Sequence, residues 1–154
     1  MRVSFLVSLL LLGLSAVAAH PMASNWTTCT VPPPKSDALI VSSVSLNPDP
    51  PQRSTAEVVT LIGNYTGTAA VDAGTVTLTI TLLGIPVFSQ KTDICKVDGV
   101  NCPIHSGDSV TAHLDIPAAA IPGFSPPGAY VGQGLIVDGS GAELACISVG
   151  FNLS

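Results

Sequence analysis

The chain has 154 residues, of which 47% are hydrophobic and only 10% charged, and it contains 13 prolines and 14 glycines. Its formal net charge is −5 and its few basic residues do not cluster, which argues against nucleic-acid binding and against permanent attachment to anionic membranes. The length suits one domain with one hydrophobic core.

The first segment is typical of a secretory signal peptide. A basic residue at position 2 is followed by an apolar run and then by small residues up to Ala19. The apolar run is too short for a transmembrane helix, which needs about 20 residues. We predict cleavage after Ala19, with Ala18 as the near alternative. Residues 1–19 are then the signal peptide, and residues 20–154 form one secreted or lumenal domain (extracellular, lysosomal or vacuolar).

The mature part reads as a succession of short β-strands. Residues 75–83 show this best, because Val76, Leu78 and Ile80 alternate with threonines, which places one face in a core and the other in water. Gly84 interrupts the pattern and predicts a bulge or bend before the next strand. The predicted strands cover residues 38–46, 57–65, 75–83, 85–89, 109–116, 129–137 and 143–153.

About seven short strands and no good amphipathic helix predict an all-β fold, an immunoglobulin-like sandwich of two antiparallel sheets. The turn of the last hairpin is predicted at residues 138–141, Asp-Gly-Ser-Gly, because Asp and Gly tolerate positive φ. Residues 117–128 contain four prolines and little polar content. A loop of this kind either packs down over the core or lines the mouth of an apolar cavity.

The cysteines indicate disulfide bonds, since an even number in a secreted chain is normally paired. Cys29, Cys95, Cys102 and Cys146 allow three pairings. Six residues separate Cys95 from Cys102, so a local bridge is favoured, and Cys29 and Cys146 would then tie the two ends of the domain together. The spacing does not match a zinc site, and we predict no bound metal.

Three sequons fit passage through the secretory pathway, at Asn25, Asn64 and Asn152. Asn152 lies close to the chain end, and we expect it to be glycosylated least often. The histidines, His20, His105 and His113, are not grouped with a nucleophile, and no hydrolase signature of the form G-x-S-x-G occurs. We therefore expect no catalytic residues and no cofactor.

Two cysteine-bearing segments together resemble the ML family of lipid-recognition domains. The first contains GIPVF at 84–88, DIC at 93–95 and, after six residues, CPI at 102–104. The second contains PPGAY at 126–130 and ELAC at 143–146. The resemblance covers essentially the whole mature chain. The chain departs from it after the first predicted strand, where many members carry a third, short disulfide and this chain has prolines instead.

The resemblance implies a sandwich whose sheets part to admit a lipid, with the pairing Cys29–Cys146 and Cys95–Cys102. The implied ligand is a sterol or a phospholipid, held by a monomer that contacts a membrane or a receptor transiently. The proline-rich loop and the Cys95–Cys102 loop are both expected near the entrance. Carried over by position, the lipid-binding residues are Phe88, Ile116, Ala118, Ile121, Phe124, Tyr130, Gly132 and Gly134.

A rival interpretation gives these residues a purely structural role. In that case the sandwich has a filled core and acts outside the cell as a recognition or structural domain through a protein partner. A lipid that co-purifies with the protein would separate the two interpretations.

Overall fold

The computed structural model describes residues 25–29 and 38–153; the predicted signal peptide and His20 lie outside this part of the chain. Short 3₁₀ turns occur at Ile94–Lys96 and Ala118–Ala120. The strands are β1 (Trp26–Thr28), β2 (Leu39–Asn47), β3 (Glu57–Tyr65), β4 (Gly74–Leu82), β5 (Ile85–Asp93), β6 (Ser109–Ile116), β7 (Gly128–Asp138) and β8 (Glu143–Leu153).

The strands form two antiparallel sheets, which confirms the predicted all-β sandwich. The five-stranded sheet has the order β1-β8-β7-β4-β5, and the three-stranded sheet has the order β2-β3-β6. All seven predicted strands are present, and the short β1 adds an eighth at the edge of the larger sheet. Within the described residues, no helix is long and apolar enough to cross a membrane.

The connection between β4 and β5 corrects the prediction for Gly84. Leu82 pairs with Ile85, so Leu83 and Gly84 are the two residues of a tight hairpin turn. Both have positive φ, 52° and 79°, as a type I′ turn requires. The chain therefore reverses direction at Gly84, and the bulge of this pair lies between Ile80 and Thr81 instead.

The core lies between the two sheets and is built by the inward-facing half of each strand. In β4, Val76 and Ile80 are buried, as their alternation with threonine predicts. In β6, Val110, Ala112 and Ile116 are buried in the same way. The predicted turn at 138–141 also forms: the Asp138 carboxylate accepts hydrogen bonds from the backbone N–H groups of residues 140 and 142.

Both implied disulfides form, with Cα–Cα distances of 5.3 Å for Cys29–Cys146 and 5.5 Å for Cys95–Cys102. Cys29 follows β1 and Cys146 lies in β8, so the first bond stays within the five-stranded sheet. The second closes a local loop between β5 and β6. Neither bond joins the facing surfaces of the two sheets, so neither disulfide crosses the core.

The two loops expected near one entrance lie at opposite ends of the sandwich. The proline-rich loop follows the end of β6, beside the start of β3, since Ile116 pairs with Glu57. The Cys95–Cys102 loop lies beside the far end of β3, because it directly precedes β6, whose first residue Ser109 pairs with Asn64. The expectation of a shared entrance is wrong: β3 and β6 run the length of the sandwich between the two loops.

Candidate functional site: an apolar cleft between the sheets

A cleft lies between the facing surfaces of the two sheets, on the side of the proline-rich loop. Strands β2, β3 and β6 form one wall, and β4, β7 and β8 form the other. Almost every lining side chain is aliphatic or aromatic. The lining residues are Leu46, Glu57, Val59, Leu61, Val76, Leu78, Ile80, Leu114, Ile116, Gly132, Gly134, Ile136, Ile147, Val149 and Phe151.

The cleft is narrow. The cavity volume is about 50 Å³, which is room for a few water molecules at about 10–15 Å³ each. Binding pockets for drug-sized molecules are larger, about 300–1,000 Å³. A lipid would therefore enter only if the sheets move apart or the lining side chains change rotamer.

A second gap continues the cleft toward the Cys95–Cys102 loop. It is smaller, about 20 Å³, and its far end is formed by residues such as Tyr65, Ile94 and Val97. The two gaps share four lining residues: Leu61, Val76, Leu114 and Ile136. A line of incomplete packing thus runs along much of the sandwich interior, and movement of four aliphatic side chains would join its two parts.

Gly132 and Gly134 leave two positions on the β7 wall of the cleft without a side chain. A Cβ at Gly132 would meet only Phe151 Cε1 at 3.8 Å and Val149 O at 3.9 Å, which are ordinary contacts. A Cβ at Gly134 would lie 3.2 Å from Ile147 Cγ1 and would be tight. The space at Gly132 is therefore open enough for a small side chain, while Gly134 sits closely against its neighbour.

Hydrogen bonds hold the proline-rich loop over one end of the cleft. Ser54 N–H donates to Ile121 O at 2.7 Å, and Arg53 Nε donates to Ser125 O at 2.8 Å. On the other side, Tyr130 Oη donates to the carbonyl of residue 126 at 2.8 Å. The Tyr130 ring stacks on Phe151, which lines the cleft, at 5.6 Å between centroids. The loop is thus attached to both walls.

The structure places the predicted lipid-binding residues in three settings. Ile116, Gly132 and Gly134 line the cleft. Ile121 and Tyr130 are buried in the core beside it, and Phe88 is half-buried against that core. The other two lie in the proline-rich loop, where Ala118 is half-buried and Phe124 is 89% exposed.

A second exposed apolar side chain, on the five-stranded sheet, lies at the same end of the sandwich as Phe124. Leu83, in the β4–β5 turn, is 87% exposed. Leu82 pairs with Tyr130 near the start of β7, directly after the proline-rich loop, so Leu83 and Phe124 both project from the same end of the sandwich. We call these two residues the apolar tips. Large apolar side chains exposed together commonly mark a surface for membrane or protein contact.

Glu57 is the lining residue that the sequence analysis missed. It is only 5% exposed, and its Oε1 meets no hydrogen-bond partner among the described residues. Burial, with a smaller contribution from the negative charge of Asp49, raises the pKa of Glu57 to about 7. The signal was available, because strand alternation in β3 puts Glu57 on the same face as Val59 and Leu61.

The remaining candidate residues lie on the surface. Asn25, Asn64 and Asn152 are exposed. His113 Nδ1 is 3.0 Å from Thr60 Oγ1 on the outer face of the three-stranded sheet, and His105 is exposed beside Asp108. Within residues 25–29 and 38–153, no group of three or more His, Cys, Asp or Glu side chains is placed to hold a metal ion.

Comparisons with known proteins agree with this architecture. A Niemann-Pick type C2 protein from the Japanese carpenter ant has the same fold, with a TM-score of 0.64 at 16% identity, over 84% of this chain and 99% of the ant protein. Two proteins of Dictyostelium discoideum are similar in sequence. Both have the provisional name phosphatidylglycerol/phosphatidylinositol transfer protein.

One of these Dictyostelium proteins is 27% identical over 139 residues, which cover 90% of this chain and 92% of the relative. The other is 24% identical, over 90% of this chain and 87% of the relative. The sequence profile of the ML domain matches residues 23–153. This match spans both sheets, the cleft and both disulfides, and the chain therefore belongs to the ML domain family.

Proposed function

We propose that this protein is a secreted or lumenal carrier that holds one sterol or phospholipid between its two sheets. The observation that carries the proposal is the line of incomplete apolar packing between sheets that no disulfide joins. Burial of a lipid chain contributes about 0.8 kcal/mol per methylene group, so a long tail supplies ample affinity without a charged contact. Opening the cleft would separate mainly apolar side chains, which the lipid tail would then cover again.

The location outside the cytoplasm is supported by independent features. The chain begins with a segment typical of a signal peptide, both disulfides suit an oxidising compartment, and three sequon asparagines are exposed. We propose cleavage after Ala19 and a monomeric mature protein. Mass spectrometry of the secreted product and light scattering of the purified protein test these two points.

The apolar tips support a route for loading. Leu83 and Phe124 project beside the end of the cleft at which Glu57 and Ile116 lie. Insertion of the tips into a membrane surface would bring this end against the lipid to be extracted. Cleavage of the predicted signal peptide removes Arg2 and changes the net charge from −5 to −6. The mature protein would therefore bind neutral membranes more readily than anionic ones.

Organic extraction of the purified protein, followed by mass spectrometry, tests the carrier proposal. We expect about one lipid per chain. Stripped protein should take up a fluorescent sterol or a fluorescent phospholipid in a saturable manner. An empty extract together with no uptake of either probe would reject the carrier and favour the rival function, a recognition sandwich with a filled core. The small volume of the cleft is the observation that favours this rival.

A further inference from the structure

Glu57 is an unusual residue for the wall of an apolar cleft. Its carboxyl group is buried, faces the interior on the same side of β3 as Val59 and Leu61, and leaves Oε1 unsatisfied among the described residues. A buried polar atom without a partner costs about 1–3 kcal/mol. The cost is removed if a ligand supplies the missing hydrogen bond, which makes Glu57 a candidate for ligand recognition.

We propose that the Glu57 carboxyl group receives an aliphatic hydroxyl group of the bound lipid and so selects lipids that carry one. The proposal rests on the proposed lipid-carrier function and names the chemical feature that the same cleft recognises. The hydroxyl could belong to a sterol or to the polyol headgroup of a phospholipid. In both cases the apolar part extends away from Glu57, along the line of incomplete packing.

The position of Glu57 suits this role. It is the first residue of β3 and pairs with Ile116, the last residue of β6, so it lies at the end of the cleft below the proline-rich loop. A lipid oriented with its polar group toward this end would place its apolar part among Val76, Leu114 and Ile136, which join the two gaps. The polar group would remain next to the apolar tips, where a membrane would release it.

The chemistry of the site favours a hydroxyl over a charged amine. The other residues that line the cleft are apolar, so an ammonium group would have to lose its hydration among them. Desolvation of a full charge often outweighs the attraction to a buried carboxylate. The charged group that acts on Glu57 is Asp49, in the β2–β3 loop, and it disfavours the ionised carboxylate. Burial, together with this neighbouring charge, raises the pKa of Glu57 to about 7, so the carboxyl group is neutral below that pH and can then both accept from and donate to a hydroxyl.

The test compares lipid pairs that differ in the hydroxyl group alone. A fluorescent sterol is compared with its 3-deoxy analogue, and phosphatidylglycerol with phosphatidylpropanol, which keeps the chains, the phosphate charge and the three-carbon headgroup but lacks the hydroxyls. We expect the hydroxylated member of at least one pair to bind about tenfold more tightly to the wild-type protein. The pair that shows the preference identifies the source of the hydroxyl.

Two substitutions assign the preference to this residue. Glu57→Leu should abolish it, chiefly through weaker binding of the hydroxylated lipid, whereas Glu57→Gln, whose amide still bonds a hydroxyl, should keep most of it. Circular dichroism confirms that each variant is folded. Equal binding of both members of both pairs by wild type, a preference that survives in Glu57→Leu, or tighter binding of an amino lipid would overturn the proposal while leaving the carrier function intact. Failure to bind any of these lipids would overturn both.

Discussion

Gly132 is the residue at which side-chain volume most directly controls the cleft. A Cβ there would make only contacts of 3.8 Å or more, so the backbone accepts a side chain while the space beyond it belongs to the cleft. A larger side chain would extend into the gap between the sheets and compete with a lipid. Gly134 is less suitable for such a test, because a Cβ would already press on Ile147.

We predict that Gly132→Trp blocks lipid uptake while the protein still folds, at a cost of about 1–3 kcal/mol in stability because the sheets must part for the indole, and that Gly132→Ala leaves uptake close to wild type. The indole would occupy the space that the lipid tail needs, whereas a methyl group would not. Uptake of a fluorescent sterol or phospholipid measures the effect, and thermal unfolding verifies the fold. Wild-type uptake by a folded Gly132→Trp variant would remove Gly132 from the proposed site.

At the scale of elements, the proline-rich loop has two opposite roles in one segment. Ile121 is buried and its carbonyl is bonded to Ser54, so this part covers the core. Phe124, three residues later, is almost fully exposed. The two alternatives drawn from the sequence, core cover or cavity mouth, therefore both describe part of the loop. Hydrogen bonds to Arg53 and Tyr130 hold the rest in place.

We predict that the double variant Leu83→Ser/Phe124→Ser slows lipid transfer between neutral vesicles by about tenfold or more. The substitutions remove the two most exposed large apolar side chains of the described residues, and each side chain of this size contributes about 1.5–3 kcal/mol when it is buried. The fold should survive, since both side chains are exposed. Ile40→Ser/Ile62→Ser, on the three-stranded sheet, is the matched control. Equal slowing by the two double variants would argue against docking through the tips.

At the scale of the whole molecule, Glu57 links stability to pH. Its pKa is about 7 in the folded protein and about 4.5 when it is not perturbed. Between these values the unfolded chain has lost the proton while the folded chain keeps it, so the free energy of unfolding falls as pH rises and levels off above pH 7. The difference corresponds to at most about 3 kcal/mol, and we expect about 1–2 kcal/mol, because relaxation of the site and entry of water on ionisation lower the cost of the buried charge.

We predict that the Glu57→Gln variant lacks this loss of stability at high pH. The free energy of unfolding of the variant minus that of wild type should therefore be about 1–2 kcal/mol larger at pH 8 than at pH 4.5. Urea unfolding across pH 4.5 to 8 measures the difference between the two proteins. Asp115→Asn, on the exposed face of β6, controls for the loss of one negative charge. A difference that stays constant with pH would show that Glu57 titrates alike in the folded and unfolded chains.

The sequence alone determined the strands, because alternation of apolar and polar residues is a local pattern, and three predicted strands have the observed bounds. It also indicated the turn at 138–141, through residues that tolerate positive φ. The disulfide pairing followed from the resemblance to the ML family, and the structure confirmed it. Gly84 was misjudged because a glycine after a strand suits a bulge and a tight reversal equally well, and only the pairing of Leu82 with Ile85 distinguishes them.

The tertiary structure decided what depends on the contact between the sheets. Whether an inward side chain borders a gap or is packed on all sides depends on residues distant in sequence, which is why Ile116 lines the cleft while Ile121 is sealed in the core. Pairing of β3 with β6 inside one sheet, also a long-range contact, places the proline-rich loop and the Cys95–Cys102 loop at opposite ends of the domain. The contact between the sheets also surrounds Glu57 with apolar side chains from the other strands, and this burial gives one carboxyl group its altered pKa.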